Sequence, residues 1–365
     1  MNKITCDILF PQNLNSSHIN QIFAGLSMLN KEGIIGIKSS RVDNSLQWKD
    51  TNKQHLLDKY KTQLNILLNN HIKIHFDMHD SYEIDKNQLN QCDFYFKRSY
   101  LKNYIRTIEN SKKIFAYGFN YRVLPSNIDL HFLKSKIYCS EKIREYMQSF
   151  KTVFDINNYS FFYPREKFLN SFPSLNKKPK IIFNVAAYDP YSKKTRSKEK
   201  SEEFKKINNS RAEIINSMRK QFGNRFYGGF VHNKYSIKKY PNLLIPDKKN
   251  QVKKNYIKLL EKHPIGIASK GLHDSIGWKI AEYIAFSKAI VSEEMIYKVV
   301  GGFSDGKNYL QFNDKETLLS SSEKLLSDTD MRKKMMLNNY IYYQKYLRPD
   351  NLILNTFLIA ILGNT

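Results

Sequence analysis

The sequence predicts an α/β protein of two domains, each built on a mainly parallel sheet. Short apolar runs rich in β-branched and aromatic residues alternate with amphipathic stretches along both halves of the chain. The chain has 365 residues, 41% of them apolar, which is enough for two hydrophobic cores and excludes global disorder. A polar stretch containing three prolines interrupts the alternation near 163–179 and marks the boundary.

The elements of the first half follow from these runs. Strands are predicted at 3–10, 34–38, 72–76, 92–96 and 113–118. Apolar residues at helical spacing predict helices around 19–29 and over 56–68. Because strands joined through helices pair in parallel, the first domain, 1–172, is expected to hold a parallel sheet with crossovers.

The same pattern restarts in the second half, where a second domain is predicted over 173–348. Apolar runs at 181–186, 225–230, 243–245, 264–268, 289–292 and 308–312 predict its extended segments, and helices are predicted over 210–222, 252–261, 278–286, 315–326 and 330–346. The remaining segment, 349–365, is an apolar helix that we expect to pack back on the first domain.

The composition is strongly basic. Lys and Arg number 59 against 34 Asp and Glu, which gives a net charge of +25 at pH 7. Such a balance favours polyanionic partners, namely nucleic acid, an anionic membrane face or phosphorylated small molecules. An AT-rich coding bias, which increases the number of Lys and Asn residues, accounts for part of the positive charge. The three cysteines, Cys6, Cys92 and Cys139, are far apart, so neither a disulfide framework nor a zinc site is expected.

The sequence shows no targeting or membrane-spanning segment. The N-terminus lacks the apolar core of a signal peptide, and the most apolar stretch, 352–362, is too short to span a membrane. A cytoplasmic protein is therefore expected, with peripheral contact at the inner face of the membrane left open.

Several common catalytic and nucleotide-binding motifs are absent from the sequence. There is no GxSxG, Walker, HExxH or GxGxxG motif. The acidic triplet at 328–330 precedes a helix and is interpreted as its cap, and the basic run 193–206 as a solvated loop, with a lid or membrane foot as the alternative.

The stretch from 269 to 312 is the most informative. A polar loop, 269–277, follows a strand and opens into a helix, where main-chain amides and the helix dipole suit a diphosphate. Asp274 or Ser275 is expected to cap that helix, and Gly277 to let the backbone approach a ligand. Glu282 lies about one turn inside the helix, where a carboxylate can accept hydrogen bonds from ribose hydroxyls.

This stretch resembles the donor-binding half of GT-B glycosyltransferases, which carry two acidic residues separated by seven others beside such a loop. Here the pair is Asp274 and Glu282, and the following AEYIAFSKAIVSE and GKNYLQFND resemble further elements of that family, as does NNSRAEIINSMRKQFGNRFYGG at 208–229. The resemblance covers about 180–350. It implies two Rossmann-like domains facing across a cleft, a nucleotide-sugar donor held by the second domain, and neither a metal nor another cofactor.

The resemblance also implies roles for particular residues. Glu282 would bind the ribose, Asp274 would lie near the sugar, and the backbone of Ser275, Ile276 and Gly277 would bind the diphosphate. The candidates that neutralise the diphosphate are Lys270, Lys279 and Arg211. The chain departs from the family because the Gly-rich loop after the first strand is absent and the Arg/Lys pair of retaining members is not evident, so retaining and inverting chemistry both stay open.

Candidate catalytic residues in the first domain follow its strands. Asp77, His79 and Asp80 come directly after the 72–76 run, where one of them could deprotonate an acceptor hydroxyl, as inverting transfer requires. The acceptor contacts predicted after the next strands are Lys97, Arg98 and Asn120.

The sequence therefore indicates a glycosyltransferase acting on a glycan or lipid-linked glycan, such as lipopolysaccharide, capsule or another surface polysaccharide. Two alternatives use the basic charge directly: a glycosyltransferase acting on nucleic acid such as modified phage DNA, and a non-catalytic basic nucleic-acid-binding protein.

Overall fold

The chain divides into two α/β units. A computed structural model describes residues 3–11, 14, 16–43, 46, 60–125, 130–131, 165–174, 178–192 and 197–363. The first unit comprises Met1–Leu169, Tyr297–Gly302 and Gln344–Thr365, and the second comprises Asn170–Ile296 and Phe303–Tyr343. The predicted α/β class is therefore confirmed, and each unit is described below by itself.

The first unit contains a mixed sheet. Its described strands are β1 Ile4–Phe10, β2 Ile35–Val42, β3 Gln63–Leu68, β4 Ile72–Asp77, β5 Phe94–Lys97 and β6 Ile114–Ala116. They lie in the order β2-β1-β3-β4-β5-β6, with β3 antiparallel to both of its neighbours and the other pairs parallel. The expectation of a wholly parallel sheet is wrong at β3.

The helix predicted over 56–68 is wrong over 63–68, which form β3. Tyr60 is helical, and residues 56–59 lie outside the described part. A tight turn joins β3 to β4, and its central residues Asn69 and Asn70 have φ of 50° and 67°. His71 N donates to Leu68 O at 3.2 Å, so Asn69 and Asn70 are the central residues of a β-turn, and asparagine tolerates the left-handed conformation at both positions. The Asn-Asn pair between two apolar runs was thus the signal for a hairpin.

Two helices cover one face of the first sheet. They are α1 Ser16–Lys31 and the C-terminal helix Pro349–Leu362, which pack against each other and share one hydrophobic core with the strands. A Cβ on Gly25 would lie 2.2 Å from the carbonyl oxygen of Pro349, so the two backbones approach too closely for any side chain there. The predicted packing of the C-terminal helix on the first unit is confirmed. This unit also contains the short helices α2 Lys86–Gln91 and α3 Lys102–Ile105.

The second unit contains a parallel sheet. Its strands are β7 Ile181–Val185, β8 Phe226–Phe230, β9 Ile265–Ala268, β10 Ala289–Glu293 and β11 Leu310–Phe312, in the order β11-β10-β9-β7-β8. The helices are α4 Lys198–Phe222, α5 Lys234–Lys239, α6 Lys253–Lys262, α7 Trp278–Ala285, α8 Lys315–Ser327 and α9 Thr329–Tyr342; the C-terminal helix is α10. Helices α4 and α8 share the core on one face, whereas α7 packs on the other, with the Tyr283 ring over Gly266.

The N-termini of three helices can be compared with the sequence predictions. Helix α4 starts at Lys198 because the Ser197 side chain accepts a hydrogen bond from Lys200 N, so the basic run is helical from 198 onward and is not a loop there; residues 193–196 lie outside the described part. The Asp328 side chain caps α9, as predicted. Helix α7 begins after Gly277 without a side-chain cap, so the predicted capping by Asp274 or Ser275 is wrong.

Candidate functional site

The strand order of the second unit identifies where a ligand would bind. From β8 to β11 the order is 2-1-3-4-5 in terms of the five strands of this sheet. The order in which strands are added reverses between β7 and β9: β8 lies on one side of β7, and β9, β10 and β11 follow on the other side. In open parallel sheets ligands bind beyond the carboxyl ends of the strands at this switch point. The residues that follow β7 and β9 are therefore the first place to look for a site.

Arg211 of α4 ties these two strand ends together. Its Nη1 donates to the carbonyl oxygen of Ala186, after β7, at 2.7 Å. Its Nη2 donates to the carbonyl oxygen of Lys270 at 3.2 Å and its Nε to Ser269 Oγ at 3.3 Å, both after β9. The guanidinium also lies 5.0 Å from the ring centroid of Tyr188. Arg211 is thus a buried cation whose donors shape the loop at the switch point.

A cavity of about 520 Å³ opens beside this loop, within the range of about 300–1,000 Å³ for small-molecule sites. Its lining combines cations and carboxylates: Lys200, Lys206, Arg211 and Lys270 against Glu199, Glu203, Asp274 and Glu293, with Ser197, Ile207, Ser210, Ser269, Gly271 and His273. The structure thus brings together the predicted donor residues Arg211, Lys270 and Asp274. Ser275, Ile276 and Gly277 line a smaller adjoining pocket.

The loop between β9 and α7 has a strained backbone. His273 has φ 57° and ψ 34°, and Asp274 has φ 52°, so two successive residues with side chains adopt the left-handed conformation. Each such residue costs about 1–2 kcal/mol, and strain of this kind clusters at ligand sites. A short hydrogen-bonded turn closes the loop, in which Gly271 N donates to Ser275 O at 2.8 Å.

Two carboxylates accept hydrogen bonds from backbone amides of the same loop. Glu203 Oε1 accepts a hydrogen bond from His273 N at 2.5 Å, and Glu293 Oε2 accepts one from Lys270 N at 2.6 Å. The other oxygen of Glu293 accepts from Ser210 Oγ at 3.0 Å. Two backbone amides of this loop, those of Lys270 and His273, therefore already carry anionic partners, whereas the sequence predicted the diphosphate on the amides of Ser275, Ile276 and Gly277. Sequence reasoning did not single out either carboxylate.

Glu282 lies in a buried ion-pair cluster, and is not among the residues that line the cavity. Its Oε1 pairs with Lys253 and its Oε2 lies 3.2 Å from Lys279 Nζ. Burial alone raises the pKa of Glu282, but the attraction of the two lysines outweighs it and lowers the pKa to about 2. The Lys279 ammonium lies 3.7 Å from the ring centroid of Tyr256. Both Glu282 and Lys279 are thus engaged by protein groups where the sequence predicted contacts to a donor.

In the first unit, Asp77 and Lys97 lie in the interior. Asp77 Oδ2 is 2.9 Å from Lys97 Nζ, and neither side chain is exposed. The same oxygen accepts a hydrogen bond from the Tyr95 hydroxyl at 2.6 Å, while Oδ1 accepts one from His79 N at 3.1 Å. The placement of Asp77 argues against its prediction as a base, and that of Lys97 against acceptor contact, because a buried ion pair is closed to a substrate.

His79 and Asp80 follow Asp77 at the carboxyl end of β4. Asp80 forms an ion pair with Arg98, and its side chain is 25% exposed whereas that of Arg98 is 5% exposed. Burial lowers the pKa of Arg98 to about 10, so the guanidinium stays protonated at neutral pH. His79 Nδ1 accepts a hydrogen bond from Ser81 N at 3.1 Å, which in the neutral imidazole leaves the proton on Nε2. Both side chains are partly buried, and because the unprotonated nitrogen of His79 already accepts a hydrogen bond, Asp80 is the better proton acceptor of the two.

His18 joins this group, and sequence reasoning missed it. Its Nδ1 donates to the Met78 carbonyl oxygen at 3.1 Å, and Asn120 Nδ2 donates to the His18 carbonyl oxygen at 2.8 Å. Burial first, and then the nearby charge of Arg98, lower its pKa to about 3, so its imidazole is neutral. Asn120 thus positions the start of α1. The signal for His18 was its place in the first turn of α1, which follows the carboxyl end of β1 at the same sheet edge as the other candidates.

Two further observations concern ions and membranes. Among the described residues, no group of three or more His, Cys, Asp or Glu side chains is arranged to hold a metal ion. No helix within the described ranges is long and apolar enough to cross a bilayer.

Comparison with known proteins yields structural neighbours only. No family model matches the chain, and no curated protein matches it. The chain is similar to Anabaena HepE in complex with UDP and glucose, at 8% identity over 98% of this chain and 99% of that chain, with a TM-score of 0.44. It is also similar to a glycosyltransferase from Rickettsia africae, at 14% identity over 95% and 82% of the two chains, with a TM-score of 0.43. WaaG, a glycosyltransferase involved in lipopolysaccharide biosynthesis, is similar at 10% identity over 96% and 97%, with a TM-score of 0.38.

Proposed function

We propose that the chain is a glycosyltransferase that moves a sugar from a nucleotide-sugar to a hydroxyl group of an acceptor. The observation that carries the proposal is the loop at the switch point of the second sheet. A buried arginine ties this loop to the neighbouring strand end, its backbone is strained, and a cavity of about 520 Å³ lies beside it. Strain, cationic side chains and backbone donors together suit a diphosphate-linked ligand.

The chemistry assigned to the first unit is proton removal. In an inverting transfer the acceptor oxygen attacks the anomeric carbon, the bond from that carbon to the diphosphate oxygen breaks, and the diphosphate leaves with the bonding electrons. The acceptor proton goes to a base, and Asp80 is the residue that we assign, because its carboxylate is partly exposed at the carboxyl edge of the sheet. The reaction as proposed needs neither a metal ion nor a resident cofactor.

The acceptor class extends the proposal. We assign a glycan or lipid-linked glycan of a surface polysaccharide as the acceptor, made at the inner face of a membrane. The excess of basic residues supports this assignment, because lipid-linked glycans and the leaflet that carries them are anionic.

Thermal-shift screening with UDP-, GDP-, CMP- and TDP-sugars tests donor binding, because a ligand that binds only the folded state raises the melting temperature. We expect one nucleotide to raise it and the others to have little effect. No response to any nucleotide would overturn the proposal. Binding to DNA that falls steeply with salt, without a nucleotide response, would favour the non-catalytic nucleic-acid-binding alternative instead.

Asp80→Asn tests the assigned base. We expect transfer to fall by at least about 100-fold, within the range for loss of a general base, while donor binding is retained. Asp93→Asn is the matched control, since the Asp93 carboxylate is exposed and accepts a backbone hydrogen bond from Lys73 N. Unchanged turnover in Asp80→Asn would remove this residue from the mechanism.

A further inference from the structure

The strained loop of the second unit holds two of the protein's own carboxylates where an anionic ligand would be expected. The backbone N–H groups of Lys270 and His273 donate to Glu293 and Glu203. His273 and Asp274 are the left-handed residues of this loop, and a backbone amide in such a turn is a donor of the kind that binds anions. In this structure the anions are supplied by side chains from α4 and from the end of β10.

The two carboxylates differ in how firmly they are held. Both carboxylate oxygens of Glu293 accept hydrogen bonds, one from Ser210 Oγ and one from Lys270 N, so the carboxylate is held in place. Among the described residues Glu203 accepts a single hydrogen bond, from His273 N, and its side chain is partly exposed. Glu203 is therefore the carboxylate that can leave.

A second position is available to Glu203 on its own helix. Lys200 and Lys206 lie three residues before and after it on α4, a spacing at which opposite charges attract on a helix surface. Both lysines also line the cavity. A carboxylate that moves from His273 N to either lysine would exchange one favourable partner for another and leave a loop amide open.

We propose that Glu203 is an internal competitor for the diphosphate position and thereby sets the affinity and selectivity of the donor site. A nucleoside diphosphate binds by displacing the Glu203 carboxylate from His273 N, whereas Glu293 stays in place and supports the loop. Ligands without a diphosphate leave the contact intact and gain nothing from the amide. This inference rests on the proposed function, since it takes the loop to be the diphosphate site.

The competition has a direct thermodynamic consequence. Removing Glu203 takes the carboxylate away from the His273 amide and leaves four cationic side chains against three carboxylates in the lining of the cavity. We expect Glu203→Ala to bind UDP and inorganic pyrophosphate more tightly by roughly threefold to tenfold, the size of one partly exposed charge-assisted hydrogen bond. Glu203→Gln keeps the size and an acceptor oxygen but loses the charge, so we expect a smaller gain in the same direction.

Isothermal titration calorimetry of the full chain tests the inference with UDP, inorganic pyrophosphate and uridine as probes. Uridine affinity should be the same for the wild type and both Glu203 variants. The matched control is Glu202→Ala, because Glu202 is the neighbouring residue of the same helix and its exposed carboxylate pairs with Lys205. We expect this control to match the wild type for all three probes.

The outcomes separate the inference from the function beneath it. Tighter diphosphate binding by Glu203→Ala, with uridine unchanged, supports the inference. If wild type binds UDP and Glu203→Ala binds it equally or more weakly, Glu203 is a structural support of the loop and the inference is overturned, while the proposed function stands. If neither protein binds any nucleoside diphosphate, the proposed function fails together with the inference.

Discussion

The Arg211→Lys variant tests whether Arg211 holds the donor loop in its binding conformation, in addition to stabilising the second unit. Arg211 donates to Ala186 O, Ser269 Oγ and Lys270 O, which belong to the segments after two different strands. A lysine at this position has one ammonium on a flexible stem and cannot reach three acceptors in the planar arrangement of a guanidinium. The substitution therefore keeps the charge and removes the connection between the strand ends.

The expected loss follows from the hydrogen bonds that disappear. A hydrogen bond to a charged group contributes about 1.5–3 kcal/mol, and lysine can restore one of the three, so the free energy of unfolding should fall by about 2–4 kcal/mol after relaxation. For a unit of this size the melting temperature should fall on the order of 10 °C. Donor affinity should fall by about tenfold or more, because the strained loop is no longer held in its binding conformation.

The matched control is Arg219→Lys, on the same helix. Arg219 also donates to three backbone carbonyl oxygens, those of Asn242, Gly228 and Leu244, and it does not line the cavity. We expect both variants to melt earlier by similar amounts and only Arg211→Lys to lose donor affinity, measured by calorimetry well below both melting temperatures. Equal donor affinities in the two variants would refute the role given to Arg211.

Two further predictions concern packing and charge. Gly25→Ala would place a Cβ 2.2 Å from Pro349 O, so we expect the free energy of unfolding to fall by about 1–3 kcal/mol in urea titration, as overpacking of a tight contact does. Lys253→Met removes one of the two cations that lower the pKa of Glu282 from 4.5 to about 2. Because the folded pKa is depressed, the stability from this group is present above about pH 4.5 and is lost as the pH falls toward 2, so the variant should unfold at a higher pH in acid titration followed by circular dichroism.

Each of these two variants has a control. A Cβ on Gly36 would meet nothing nearer than 3.6 Å, so Gly36→Ala should cost less than Gly25→Ala; equal costs would contradict the close helix contact. Lys258, on the same helix as Lys253, is exposed, and Lys258→Met should leave the acid midpoint unchanged. An unshifted midpoint in Lys253→Met would show that the ion pair does not control the titration of Glu282.

The elements that the sequence predicted correctly have strong local signals. Helix α1, the strand Ile265–Ala268 and the C-terminal helix each combine one hydrophobic period with a clear boundary, so local preference and burial agree. The 56–68 prediction failed because an apolar run reads equally as a buried strand or a helix until its partner strand is known. Pairing with β1 and β4 decided the matter for 63–68.

For the candidate site, too, some features were predictable from the sequence and others were not. Sequence alone determined the α/β class, the loop after Ile265–Ala268 as a candidate ligand site and the acidic residues after β4, because these depend on short-range order along one strand and the turn that follows it. Only the tertiary structure decided that Asp77 is buried with Lys97 and that Glu282 is held by Lys253. The physical reason is that charge pairing and burial depend on side chains brought together across elements distant in the chain, and no local pattern encodes them.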